Sequence, residues 1–258
     1  ALGVKNVIEL NCKANGKFAH TPEPIPQNLT QISDLMKEGK ADVGFVVDPD
    51  VDRLAIVMEN GDMFVEEYTL VAVADYILAH TPGATVSNLS SSRALGDVTR
   101  ARGCSYQASA VGEVNVVAKM KETGAVIGGE GNGGVIYPEA HYGRDALVGV
   151  ALFLTLLAKS GKKVSELKKT YPPYEIAKNK VELTPEIDVD AILNKMKEIY
   201  ADEKITDIDG VKIDFEDSWV HLRKSNTEPI IRIYAEASTM EDAERLGENV
   251  KGVIASLA

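Results

Sequence analysis

Ala84-Thr85-Val86-Ser87-Asn88-Leu89 opens the block of sequence that decides the fold class. It is a short run with β-branched residues and reads as a strand. Leu95–Arg102 reads as a helix, Tyr106–Val111 as a strand, Glu113–Thr123 as a helix and Ala125–Gly129 as a strand. A β-α-β-α-β order means a parallel sheet with helices on its faces, and ligands of such a sheet lie at the carboxyl ends of its strands. The third strand runs into Gly128-Gly129-Glu130-Gly131-Asn132-Gly133-Gly134, one acid and one amide among five glycines. Glycines allow close backbone approach to a ligand, while Glu130 and Asn132 can hydrogen-bond paired hydroxyls. A mobile glycine loop is the alternative reading.

Upstream, Asp48-Pro49-Asp50-Val51-Asp52-Arg53 lies between two apolar runs, Val43–Val47 and Leu54–Met58, which read as buried strands. In an extended segment alternate side chains point the same way, so Asp48, Asp50 and Asp52 can converge. Clustered carboxylates repel unless a cation sits among them. A hard divalent ion with oxygen ligands suits three carboxylates with positions left open for phosphate oxygen, and Mg²⁺ fits best. An acidic, solvated turn is the alternative. The calcium loop of an EF-hand is excluded by Arg53 at its sixth position, where that loop needs glycine, even though its twelfth residue is Glu59.

The remaining chain supplies the frame. Val4–Leu10 reads as a strand, and Phe18–Pro26 as a proline-stiffened connection in which His20 could touch a ligand or simply be exposed. Asn28–Lys37 reads as an amphipathic helix with Asn28 as its N-cap. Asn60-Gly61 signals a tight hairpin, Thr69–His80 a helix, and Thr81-Pro82-Gly83 a domain boundary. Ser90-Ser91-Ser92 has no adjacent base and reads as a helix cap rather than a nucleophile. Tyr142-Gly143-Arg144-Asp145-Ala146 leads into a long apolar helix ending near Ser160; Arg144 faces a substrate phosphate, or the Arg144-Asp145 pair forms a surface ion pair or a helix cap. Beyond a Tyr171-Pro172-Pro173-Tyr174 linker the pattern changes to strands at Glu175–Leu183, Ile208–Ile213, Ser218–Arg223 and Ile230–Ala237, with helices at Val189–Tyr200 and from Ser238 behind a Ser238/Glu241 capping box. The expectation is a mixed α/β chain ending in a small α+β domain with an antiparallel sheet, divided at residues 1–81, 82–172 and 173–258.

With 258 residues, 45% hydrophobic and 26% charged, the chain has ordinary globular composition. A net charge of −11 argues against nucleic-acid partners and anionic membranes, and no apolar run is long enough to span a bilayer. Cys12 and Cys104 are too few for a disulfide framework, so a reducing cytoplasm is expected. An anionic substrate would need a locally basic site. Arg223-Lys224-Ser225-Asn226-Thr227-Glu228-Pro229-Ile230-Ile231-Arg232 offers one, with cationic, hydroxyl and amide groups around a single turn; a generic hairpin is the alternative.

Asp48–Arg53 resembles the metal loop of the α-D-phosphohexomutases, the family of phosphoglucomutase, phosphomannomutase and phosphoglucosamine mutase. Gly129, Glu130 and Gly133 resemble that family's G-E-x-S-G sugar loop, with Asn132 in place of the usual serine. Arg223–Arg232 resembles its phosphate loop almost position for position, and the three loops occur in the family's order. The resemblance implies a phosphoryl shift between O1 and O6 of a hexose, through a phosphoserine enzyme and a hexose 1,6-bisphosphate. Asp48, Asp50 and Asp52 would hold Mg²⁺, and Arg53 would stabilise the transferring group. Glu130 and Asn132, with Gly129 and Gly133, would grip sugar hydroxyls. Arg223, Ser225, Asn226, Thr227 and Arg232 would hold the phosphate that is not reacting. The family's serine lies in a T-A-S-H-N-P-like motif of a first domain, and no such motif occurs here. With Ala1-Leu2-Gly3 reading as a helix end, the expectation is a fragment that lacks its N-terminal domain and binds a phosphorylated hexose without turning it over. A non-catalytic sugar-phosphate binding protein and an unrelated Asp-dependent phosphatase are the competing readings.

Overall fold

A strand requires a ladder partner, and the first of the expected strands finds none among the described residues. These are 2–13, 15–182, 188–225 and 230–257 of a computed structural model. Val4–Leu10 forms no strand, and Val4, Val7 and Ile8 are exposed, since no neighbouring element buries their apolar side chains. The chain divides into two units, Ala1–Ala108 with Gly112–Pro172, and Ser109–Val111 with Pro173–Ala258. Among the described residues no helix is long and apolar enough to cross a membrane.

In the first unit, helix α1 spans Thr30–Lys37 behind a single 3-10 turn, Pro26–Asn28. Asn28 does not cap it. Its Nδ2 donates to the Glu23 carbonyl (2.9 Å), and Leu29 takes the cap position without a side-chain bond. Strands β1 (Val43–Val47) and β2 (Leu54–Met58) pair antiparallel from Val43↔Met58 to Val47↔Leu54, with the Asp loop at one end. At the other end Gly61, with φ of 85°, turns the chain so that Met58 N reaches Asp62 O at 2.8 Å. All of β2 is buried.

Helix α2 (Glu66–Leu78) starts earlier than its pattern indicates and is buried at every position from Glu67 to Ala74. A helix apolar almost all round belongs in a core, and α2 packs against β2, α3 (Ala94–Ala101) and α5 (Ala146–Ser160). Phe153 of α5 meets Phe64 and Phe45 edge to face, at centroid distances of 5.2 and 6.1 Å. Each such buried side chain contributes about 1.5–3 kcal/mol.

The sheet of this unit has the order β4-β3-β5-β6, with β3 at Thr85–Asn88, β4 at Tyr106–Ser109, β5 at Ile127–Glu130 and β6 at Gly134–Ile136. Strands β3 and β5 are parallel, as the alternating pattern requires, and α4 (Glu113–Thr123) packs on both. The expectation of a purely parallel sheet needs correcting, because β6 folds back antiparallel on β5. The glycines permit it. Gly133 has φ of 89°, and a Cβ there would lie 2.4 Å from the Leu54 carbonyl oxygen.

The second unit is a sheet of order β7-β11-β10-β9-β8 with helices α7 (Val189–Ile199) and α8 (Met240–Leu257). Its strands are Glu175–Glu182, Lys204–Thr206, Val211–Asp214, Trp219–Lys224 and Ile230–Ala237 for β7 to β11, and they pair antiparallel throughout the described residues. Leu222, Ile231, Ile233, Met196, Val250 and Ile254 form its core. The sequence pattern did not reveal β8, three residues long, and it started β9 too early, because Asp209 and Gly210 (φ 67°) form the turn before it. The cap of α8 is one residue later than expected. Thr239 Oγ1 accepts from Asp242 N (3.2 Å) and donates to the Asp242 carboxylate (2.7 Å).

Candidate functional site

The Asp loop is a turn and not an extended segment. Val51 N donates to Asp48 O (3.1 Å), and Val51 takes a left-handed φ of 59°. That conformation costs a β-branched residue about 1–3 kcal/mol. The three carboxylates nevertheless converge, offering oxygens within 4.8 Å of one another from Asp48, Asp50 and Asp52. The turn, rather than strand alternation, brings them together.

The three differ in surroundings. Asp48 is buried, and its Oδ1 accepts from Asp52 N (3.1 Å) and Arg53 N (3.0 Å) while Oδ2 accepts from Arg53 Nε (2.5 Å). Burial opposes its ionisation, but these bonds to the Arg53 backbone and side chain prevail and hold its pKa below the ordinary carboxylate value. Asp50 is exposed. Asp52 is pushed upward, first by burial and then by the charges of Asp48 and Asp50, with the Arg144 guanidinium pulling the other way. Its Oδ1 is buried and has no hydrogen-bond partner, whereas Oδ2 receives a short bond from Arg144. Oδ1 lies 3.7 Å from Arg53 Nε, and a buried acceptor without a hydrogen bond, on a residue clustered with two further carboxylates, fits an oxygen-ligated divalent cation.

Arg144 ties this loop to the glycine loop. Its second terminal nitrogen donates to Glu130 Oε2 at 2.7 Å, and its backbone N donates to Glu113 Oε1 at 2.7 Å. Both local alternatives for the Arg144-Asp145 pair are thus resolved. Asp145 caps α5, accepting from Leu147 N and Val148 N, and Arg144 itself pairs with Asp52 and Glu130. Glu130, at the carboxyl end of β5, is buried; its Oε1 accepts from Asn88 Nδ2 (2.7 Å) and Gly112 N (3.1 Å).

The glycine loop is built, not loose. Gly133 O accepts from Leu54 N (3.0 Å), and Asn132 Oδ1 accepts from Gly134 N (3.2 Å). Gly129 has φ of 154°, and a Cβ there would meet Gly134 O at 2.0 Å. A Cβ on Gly131 would run into the Glu67 carboxylate at 1.9 Å. Asn88 and Glu67, which help hold this arrangement, were not singled out from sequence. Only the position of Asn88 at a strand's carboxyl end could have marked it. His20 lies against the Thr21 carbonyl (2.7 Å) and joins none of these contacts among the described residues.

In the second unit Arg223 and Arg232 stand directly opposite each other on β10 and β11, and Lys180 of β7 is opposite Arg232 on its other side. Arg223 Nε lies 2.9 Å from Asp209 Oδ2, an ion pair without hydrogen-bond alignment. Ser225 N donates to Ile230 O (3.0 Å), closing the loop. Asn226 and Thr227 lie outside the described residues.

The chain matches three families along its length. These are the phosphoglucomutase/phosphomannomutase α/β/α domain II at residues 1–61, α/β/α domain III at 66–174, and the C-terminal domain at 176–253. A phosphoglucomutase/phosphomannomutase of Thermococcus kodakarensis is 39% identical, over 94% of this chain and 53% of its own length. A phosphoglucosamine/phosphogalactosamine mutase of Sulfurisphaera tokodaii is 33% identical, over 98% and 57%. The chain thus spans about half the length of the curated relatives it matches. Among solved structures, a phosphoglucomutase/phosphomannomutase family protein of Burkholderia thailandensis superposes with a TM-score of 0.78 at 26% identity, covering 92% of this chain and 52% of the other.

Proposed function

The chain belongs to the phosphoglucomutase/phosphomannomutase family, and from that premise we propose that it supplies the metal, sugar and phosphate sites of a phosphohexomutase. The reading divides it at residues 1–81, 82–172 and 173–258, one loop to each part. The observation that carries it is the convergence of Asp48, Asp50 and Asp52 around an open, buried Asp52 oxygen. Mg²⁺ held there would neutralise charge on a phosphoryl group during transfer. Arg53, whose Nε is held by Asp48, is assigned to stabilising that transferring group.

Glu130 and Asn132 are assigned to the sugar hydroxyls, with Gly129 and Gly133 keeping the backbone close. Arg223, Ser225, Asn226, Thr227 and Arg232 are assigned to the phosphate that does not react. The substrate is a hexose 1-phosphate or 6-phosphate and the intermediate a hexose 1,6-bisphosphate; the relatives' names extend the candidate sugars to hexosamines. On this reading the phosphoserine belongs to the part of the longer relatives that this chain does not span, and the chain binds without turnover. Cys12 and Cys104 are free thiols, in keeping with a reducing, cytoplasmic setting.

Calorimetric titration with the 1,6-bisphosphates of glucose, mannose and glucosamine, with and without Mg²⁺, tests this reading. Binding that requires Mg²⁺ and weakens in Glu130→Ala and Arg223→Ala supports it and ranks the sugars. Failure to bind any of the three even after the N-terminal domain is restored would sink it. Net release of inorganic phosphate by the restored protein would favour a phosphatase instead.

A further inference from the structure

Metal ligands are commonly held by outer hydrogen bonds that fix their orientation. Asp52 has one such bond, and its donor also bonds the glycine loop. Arg144 directs one terminal nitrogen to Asp52 Oδ2 and the other to Glu130 Oε2, 2.7 Å away. The guanidinium is planar and its nitrogens are fixed relative to one another, so its two arms set a distance as well as a charge.

We propose that Arg144 is a positioning strut that couples cation binding at Asp48, Asp50 and Asp52 to sugar binding at Glu130, a proposal that rests on the metal and sugar assignments above. Three features of the geometry carry it. Arg144 takes up only Oδ2 of Asp52, leaving Oδ1 buried and without a hydrogen bond, 3.7 Å from Arg53 Nε. It takes up only Oε2 of Glu130, whose Oε1 is anchored by Asn88 and Gly112. Finally, the strut is itself held: Glu113 accepts from the Arg144 backbone N at 2.7 Å, and its other oxygen lies 3.6 Å from Nε. The side chain is mostly buried, so the two arms are not competing with bulk water for their partners.

A merely electrostatic role gives the opposite expectation. A guanidinium placed beside a cation site repels the incoming ion, and removing it would tighten metal binding. A strut that orients Asp52 works the other way, and its loss weakens binding. The two accounts therefore differ in sign.

The test is calorimetric titration of the chain with Mg²⁺, in the absence and presence of glucose 1,6-bisphosphate, for the unaltered protein and for Arg144→Met, Arg144→Lys and Asp50→Asn. The strut account expects Arg144→Met to lose about tenfold or more in Mg²⁺ affinity. It also expects the unaltered chain to bind Mg²⁺ about fivefold or more tightly when the bisphosphate is bound. In both Arg144 variants that factor falls to unity. Lysine keeps the charge but cannot span two carboxylates with fixed arms, so Arg144→Lys carries the test if the methionine variant fails to fold. Mg²⁺ affinity that rises in Arg144→Met, or a coupling factor unchanged in the lysine variant, overturns the strut. Absence of Mg²⁺ binding by the unaltered chain overturns the metal assignment as well. Loss of binding in Asp50→Asn with none in the Arg144 variants overturns the strut alone.

Discussion

Around Arg144 the first unit places opposite charges in contact, whereas across β7, β11 and β10 the second unit places like charges in register. Asp52, Glu130 and Glu113 converge on one guanidinium. Lys180, Arg232 and Arg223 line up as consecutive cross-strand neighbours, so all three leave the same face of the sheet. Continuing along that face, the next row holds Lys178, Tyr234, His221 and Lys212. The carboxylates on or beside this face are Glu182, Asp209, Asp214 and Glu236. Glu182 is paired with exposed Lys180, Asp209 with Arg223, Asp214 with Lys212 and Lys204, and Glu236 with the Trp219 indole. Like charges directly opposite one another destabilise a sheet. A compensated cluster can be buried and pre-set without a ligand, whereas a cationic row gains most when an anion arrives. In a chain of net charge −11 that concentration of positive charge is local and directional.

The largest effect is expected in the first unit. Gly133→Ala would push a Cβ to 2.4 Å from the Leu54 backbone oxygen at a φ of 89°. We expect a loss of about 3 kcal/mol or more in stability, measured as a lowered urea midpoint. An unchanged midpoint would show that the two loops are not rigidly joined.

On the second side the informative residue is His221. It is almost fully buried, and burial lowers its pKa to about 4; Lys212 and Arg223 push the same way, while Asp209, whose carbonyl lies 2.7 Å from Nε2, opposes them. The unfolded chain takes up this proton at its ordinary value near 6.5 and the folded one only near 4. The stabilisation is therefore complete above pH 6.5 and is lost as pH falls from there toward 4, an effect of about 3 kcal/mol. Denaturant unfolding across that range should fall less steeply with acid in His221→Gln than in the unaltered protein. Parallel curves would mean that the ring is hydrated.

The smallest effect is a matter of ligand affinity. Arg223→Ala should weaken bisphosphate binding by about 1.5–3 kcal/mol, the range for a hydrogen bond to a charged group. Lys180, exposed at the end of the row, should matter less: Lys180→Met is expected to cost about two- to fivefold, most of it disappearing at high salt. Equal losses at low and high salt would place Lys180 in direct contact with the phosphate; no loss at either would confine the anion to the arginines.

How far the sequence could be read follows from the range of the interactions involved. Elements set by local pattern emerged close to their expected positions: α4 at Glu113–Thr123, β11 at Ile230–Ala237, and the two strands flanking the Asp loop. Errors gathered where a neighbour decides. Val4–Leu10 has strand-like residues but no described partner, β8 is too short to show a period, and β6 turns back on β5 because Gly133 can adopt a positive φ beside Leu54. The capping box at Ser238 was displaced to Thr239 by a single residue, within the usual blur of helix ends.

The candidate site divides along the same line. Sequence by itself determined which residue types were available and in what order: three alternate Asp with an Arg, an acid and an amide among glycines, and a basic hairpin. These are legible because metal and phosphate chemistry demands particular donor groups close together along the chain. Only the tertiary structure decided that the Asp residues meet through a turn with Val51 in a left-handed conformation, and that Asn88, Gly112 and Arg144 converge on Glu130. The partners of Arg144 are Asp52, 92 residues away, and Glu130, 14 residues away. No local periodicity encodes such a contact. It exists because packing α5 against β2 and the β5–β6 turn carries one guanidinium to two loops that the chain itself keeps apart.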